Sequence, residues 1–135
     1  MNGSVFLDTN ILLYAFSVDE AEKQIRSREI IESERCCVSV QTLNEFCNVC
    51  LKKHNLARSA VEKAIDHILT WCSLNHITVR TLRTALALHE KYGYSYYDCV
   101  MLASALDHGC DYFISEDMSD GQVIEGRLTI TNPFK

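Results

Sequence analysis

"SVFLDTNILLYAF" (residues 4–16) sets the frame for the whole chain. Val5, Phe6 and Leu7 form a short apolar run rich in strand-favouring side chains, so residues 4–8 read as a buried strand ending at Asp8. "TNILLYAF" stays apolar and is expected to turn into a helix. A strand that is buried on both faces and passes straight into a helix opens a βα unit, and such units build parallel sheets covered on both sides.

Outward from this unit the alternation continues. Residues 19–33 read as an amphipathic helix with Ala21, Ile25, Ile30 and Ile31 on its buried side. "CCVSV" (36–40) is a second strand, and residues 42–54 a helix with Leu43, Phe46, Cys47, Cys50 and Leu51 as its apolar stripe. A helix over 59–74, a strand over 77–80 and a helix ended by Gly93 follow. "SYYDCVMLASAL" (95–106) is helical, and residues 110–115 and 127–132 are the last strands. No repeat or Pro/Gly linker divides the chain. The expectation is one α/β domain over residues 1–135: three layers, with a mainly parallel sheet of about five strands flanked by helices.

The bulk composition narrows the class. A chain of 135 residues can bury a core, and 47% hydrophobic content with one proline excludes a disordered polymer. No uncharged run approaches the ~20 apolar residues of a membrane span. The start, "MNGSVFLDTN", lacks the basic head of a signal peptide, so a cytoplasmic protein without a membrane partner is expected. Seven cysteines are an odd count, and Cys36 and Cys37 are adjacent. Cys47-x-x-Cys50 with His54 is a lone pair where structural zinc wants four ligands, so buried reduced thiols are expected. The net charge of −5 does not advertise nucleic-acid binding. A phosphate partner would have to be drawn by local positive charge or by bound cations.

Acids stand where strands end or helices begin: Asp8, Glu45, Asp98 and Asp117, with Asp120 a further candidate. Each alone has a structural reading. Asp8 can cap the helix after it, Thr42-x-x-Glu45 and Ser95-x-x-Asp98 have capping-box spacing, and Asp117 and Asp120 suit turns. Helical phase puts Asp98 on the face of Met101, Leu102 and Ala105, pointing inward. Glu45 falls opposite its helix's apolar stripe, beside Asn48, Val49 and Lys52. Carboxylates within about 5 Å repel by roughly 3 kcal/mol per pair at an effective dielectric of 20, so a fold that gathers them wants a cation. All-oxygen donors suit Mg²⁺ or Mn²⁺, as one or two ions. Two such ions add four positive charges to −5 and leave −1.

Together, "FLDTNILLY", "VSVQTLNEF", "YSYYDCVMLASAL" and "YFISEDMSDGQVIEG" resemble the PIN-domain nucleases, in particular the single-domain VapC-like ribonuclease toxins, over essentially the whole chain. The resemblance implies about five parallel strands between helices, and a metal-dependent endoribonuclease acting on single-stranded or looped RNA. It implies that Asp8, Glu45, Asp98 and Asp117 form the catalytic pocket, with Asp8, Asp98, Asp117 and Asp120 toward metal. It matches Thr9 and Asn10 to a polar pair supporting the first aspartate, and Ser115 to a small hydroxyl residue at the end of the fourth strand. Glu116 stands beside Asp117, and spacing selects Asp117. A toxin implies an antitoxin partner with a segment in the acidic cleft, and homodimers are common in the family. "ITNPF" (130–134) is similar to a subgroup of predicted nucleic-acid-binding PIN proteins.

Lys52, Lys53 and Arg58, with Arg80 and Arg83 as a second patch, are candidates for guiding an RNA backbone, against the plainer reading of solvated surface charge. Tyr94, Tyr96 and Tyr97 are candidates for base stacking, though core packing is the expectation. Two other functions compete. A binding module would hold RNA or protein and cut little. A phosphatase of the haloacid-dehalogenase type also places an aspartate after the first strand, but expects a second acid where Asn10 stands. The sequence has no G-x-S-x-G, Walker loop or H-E-x-x-H.

Overall fold

A computed structural model describes residues 3–135; the first two residues of the expected 1–135 domain lie outside the described residues. The elements run β1 (Ser4–Leu7), α1 (Thr9–Ala15), α2 (Ala21–Ser33), β2 (Arg35–Ser39), α3 (Val40–Lys52), α4 (Arg58–Trp71), β3 (Cys72–Asn75), α5 (Val79–Tyr92), α6 (Tyr96–Asp107), β4 (Tyr112–Ile114), β5 (Val123–Ile124) and β6 (Leu128–Thr131). The strands form one sheet in the order β3-β2-β1-β4-β6-β5. Every pairing is parallel except that of β5 with β6. The fold is therefore the expected α/β domain, with a sixth short strand.

Alternation along the central strands builds two cores. Val5 and Leu7 face one side of the sheet with Val38 and Ile114, in the cluster that holds Ile11, Leu12, Ile30, Phe46 and Ile68. Phe6 and Phe113 face the other side and stack at 5.3 Å, in the cluster that holds Ala85, Leu88 and the run Cys99–Ala103. α6 is buried almost all round, which explains its uncharged sequence after Asp98.

The strand order makes β1 central. The chain leaves β1 toward β2 and β3, then returns across to β4 on the other side. The gap between the ends of β1 and β4 is thus the topological switch point, where open parallel sheets offer a crevice beyond the carboxyl ends of their strands. Asp8 follows β1 directly, and Ser115, Glu116 and Asp117 follow β4.

Several local expectations are corrected. The third strand is Cys72–Asn75, not residues 77–80: Thr78 caps α5, its hydroxyl accepting from the Thr81 N–H, so the β-branched "ITV" lies at a helix start. The fourth helix accordingly ends at Trp71 rather than at 74. In α2, Ala21 and Ile25 are exposed, and Ser27, Ile30 and Ile31 are buried. The first turns of α2 lie over a polar clamp formed by Lys23, Tyr14 and Glu116 rather than over the core. Leu51 is half exposed, beyond the stripe of Phe46 and Cys50. Tyr97 is 59% exposed, whereas Tyr94 and Tyr96 pack against the core.

The cap of α3 also differs, with a consequence for chemistry. Ser39 is the N-cap and exchanges bonds with Thr42, so the capping box closes without Glu45. Glu45 is left for another purpose. Replacing Ser39 with alanine should cost about 1–2 kcal/mol in urea unfolding. Glu45→Gln should not lower stability, because it removes no cap.

Candidate metal centre

The buried member of the acidic group is Asp8, 6% exposed. Its backbone is extended as the N-cap of α1, and Oδ1 accepts from the Thr9 N–H at 2.7 Å. Oδ2 accepts from the Ser115 hydroxyl at 2.7 Å, across the switch point from the end of β4. The Asp117 N–H donates to the same Ser115 oxygen at 3.2 Å. Ser115 therefore ties the first acid to the backbone of the last.

Despite these bonds, Asp8 is pushed up to about 6. Burial is the main cause; the Ser115 and Thr9 bonds oppose it, and the charges of Asp98 and Glu45 add to it. Asp98, half-buried in the first turn of α6, is also raised by burial; Ser95 lowers it and the Asp117 charge raises it. Glu45 is raised by burial, lowered by a bond from Gln41 at 3.3 Å, and raised by the Asp98 charge. The fold thus draws four acids from separate elements into one electrostatic group: Asp8 feels Asp98 and Glu45, Glu45 feels Asp98, and Asp98 feels Asp117.

Asn10 and Thr9 bear on this group differently from the expectation. Asn10 Nδ2 donates to Asp117 Oδ2 at 2.8 Å, so Asn10 orients the last acid rather than the first. Its Oδ1 is buried without a hydrogen-bond partner. Thr9 serves Asp8 through its backbone, and its hydroxyl lies 3.9 Å from Met101 Sδ on α6.

Glu116, the second acid beside Asp117, is engaged by Lys23 and Tyr14. Burial works to raise it, but these two groups together hold it below the ordinary carboxylate range. Asp120 is engaged elsewhere, accepting the Asn132 N–H at 2.8 Å just past β6. Sequence reasoning missed Lys23, Tyr14 and Gln41. Gln41 was readable as an i, i+4 partner of Glu45. Lys23 and Tyr14 reach Glu116 across roughly a hundred positions and leave no local pattern.

The basic candidates are not gathered in the same way. Lys52 and Lys53 are exposed at the end of α3. Arg58 pairs with Glu62 at 3.2 Å. Arg83 is exposed, and Arg80 lines a cavity with Asp107, at the far end of α6 from Asp98. All seven cysteines are free, and burial pushes Cys47 and Cys50 up.

Among the described residues, no three His, Cys, Asp or Glu side chains stand close enough to hold a metal ion directly. The donor set still fits a hydrated hard cation. All its atoms are oxygens, the orphaned Asn10 Oδ1 lies beside Asp117, and Mg²⁺ keeps several waters while touching one or two carboxylates.

A stability consequence follows for the metal-free protein. Asp8 is raised from 3.8 to about 6, so the folded state binds the proton more tightly than the unfolded state. Ionised Asp8 then destabilises by an amount on the order of 3 kcal/mol, present in full above pH about 6 and relieved as the pH falls toward 4. Asp8→Asn keeps an acceptor oxygen without the charge. At pH 7.5 in chelator it should unfold at higher urea than the parent, and the difference should shrink by pH 4.5.

Comparison with known proteins completes the picture. A family model of the PIN domain matches residues 5–119. No curated protein matches the chain in sequence. Among solved structures, a toxin–antitoxin complex from Klebsiella pneumoniae is similar with TM-score 0.71 and 22% identity, over 98% of this chain and 99% of that one. A sarcin–ricin-loop-cleaving VapC20 toxin of Mycobacterium tuberculosis gives 0.65 and 20%, over 82% and 87%. FitAcB of Neisseria gonorrhoeae gives 0.65 and 15%, over 96% and 98%. At these identities the structural likeness speaks for the fold. With the family match spanning most of its length, the chain belongs to the PIN-domain family.

Proposed function

We propose that this protein is a metal-dependent endoribonuclease, the toxin of a toxin–antitoxin pair. The observation that carries the reading is the group of carboxylates at the switch point, raised by burial and by one another's charge. Asp8, Asp98 and Asp117 hold Mg²⁺ or Mn²⁺, partly through water. The bound ion supplies an activated water and neutralises charge at the scissile phosphate. Ser115 and the Thr9 N–H fix both oxygens of Asp8, and Asn10 fixes Asp117. Glu45, half-buried and raised, is suited to take the proton of the attacking water at its carboxylate. Lys52 and Lys53 guide the RNA backbone toward this group.

RNA as substrate is supported by the similar toxin described as cleaving the sarcin–ricin loop. An antitoxin partner is supported by similarity to toxin–antitoxin complexes. A homodimer, a common form in the family, would show in sizing chromatography. No helix among the described residues is long and apolar enough to cross a membrane, and action on cytoplasmic RNA fits that.

Cleavage of a panel of structured RNAs tests the proposal. Activity should require Mg²⁺ or Mn²⁺ and stop with chelator. Asp98→Asn should cut at least a hundredfold more slowly with its fold intact, and cleavage at the parent rate would overturn the assignment. RNA binding without metal-dependent cleavage by the parent would favour a binding module instead. Replacing Lys52 and Lys53 together with alanine should weaken RNA binding and reduce its salt slope by about one.

A further inference from the structure

Away from the acids, the end of α1 meets α2 and α4 around a cavity of about 350 Å³ lined by Phe16, Arg28, Ala60, Lys63, Ala64, His67 and Trp71. The α4 members recur at helical spacing, so they form one face of that helix. The volume lies at the low end of small-ligand clefts, roughly 300–1,000 Å³.

Two features give this cavity a chemistry. The first is a ring stack: His67 lies on Trp71 at 5.8 Å and 26°, and Trp71 on Phe16 at 5.4 Å and 28°. His67 is its exposed member. The second is unopposed positive charge. No lining residue is acidic, and among the described residues neither Arg28 nor Lys63 sits in an ion pair. Arg28 is held in place, its Nε donating to the Ala15 carbonyl at 2.7 Å and its guanidinium 4.8 Å from the Trp71 ring. Its terminal amines are left to face a ligand. In a protein of net charge −5, a cavity lined with cations and no acid is a local exception.

The geometry points to a binding site for a nucleoside phosphate, free or as one unit of an RNA strand: the base extends the stack at His67, and the phosphate meets Arg28 and Lys63. Small side chains at Ala60 and Ala64 leave room for the ribose. A guanidinium and an ammonium facing one phosphate, beside a ring that takes any base face, favour binding by class rather than by base. The site stands apart from the acidic group and does not rest on its being catalytic.

Trp71 is the only tryptophan of the chain, so its emission reports occupancy with no cleavage step. AMP and UMP should change that emission saturably when it is excited beyond the absorption of the nucleotides. Adenosine alone and inorganic phosphate alone should bind at least tenfold more weakly, since each offers half the contacts. Lys63→Glu, a change at an exposed position, should weaken UMP at least tenfold, and His67→Ala should weaken AMP more than inorganic phosphate. A short oligouridylate binding more tightly than UMP identifies the strand as the source, and UMP binding more tightly identifies free nucleotide. The inference is overturned if neither nucleotide changes the emission, if Lys63→Glu binds as the parent does, or if an acidic peptide saturates the signal while nucleotides do not. Because no RNA is cut in this titration, its failure and failure of the nuclease reading are separate results.

Discussion

The hydroxyl of Ser115, reaching from the end of β4 to the buried carboxylate of Asp8 at the end of β1, is the contact on which the site depends. It exists because β1 is central and the chain crosses over it to reach β4. With any other order, residues 8 and 115 would end in different crevices. Once the two strand ends are adjacent, α6 brings Asp98 to the same place, and α3 brings Glu45. The crowding of charge is a product of topology before it is a product of local sequence.

Crowding of this kind has to be held in place against its own repulsion. Asp8 and Asp98 both lie at helix N-termini, where the partial positive charge of the first turn favours an anion. The segment after β4 is pinned at several points. Glu116 is clamped by Lys23 and Tyr14, Asp117 takes a bond from Asn10, and Asp120 accepts the Asn132 N–H. The clamp on Glu116 has a chemical effect as well: it leaves Asp117, rather than its neighbour, in the field of Asp98. What these contacts do not remove is the burial cost at Asp8, which remains as a raised pKa and a demand for a cation.

The sequence revealed the layers because strand burial and helix periodicity are local properties. "SVFLD" and "CDYFIS" are apolar over consecutive positions, and the α6 run has no charge after Asp98. Signals failed where two structures share one composition. "ITVR" carries β-branched residues, yet Thr78 uses its hydroxyl to start a helix, and the less conspicuous "CSLN" takes the edge of the sheet. Ile25 has the phase of a core residue in a helix whose first turns do not overlie the core. At the site, the identities of the four acids were legible from their places at element ends. The partners were not: Asn10 orienting Asp117 and Lys23 engaging Glu116 are contacts between distant positions. The cavity at Trp71 had no sequence signal at all, since its rings and cations come from α1, α2 and α4.

The central claim is that distant acids converge into a site that demands a divalent cation. Calorimetric titration of Mn²⁺ into the chelator-stripped protein tests it most directly. The account predicts saturable uptake of one or two ions per chain, lost or greatly weakened in Asp98→Asn. Absence of uptake by the parent, or equal uptake by the variant, would contradict it.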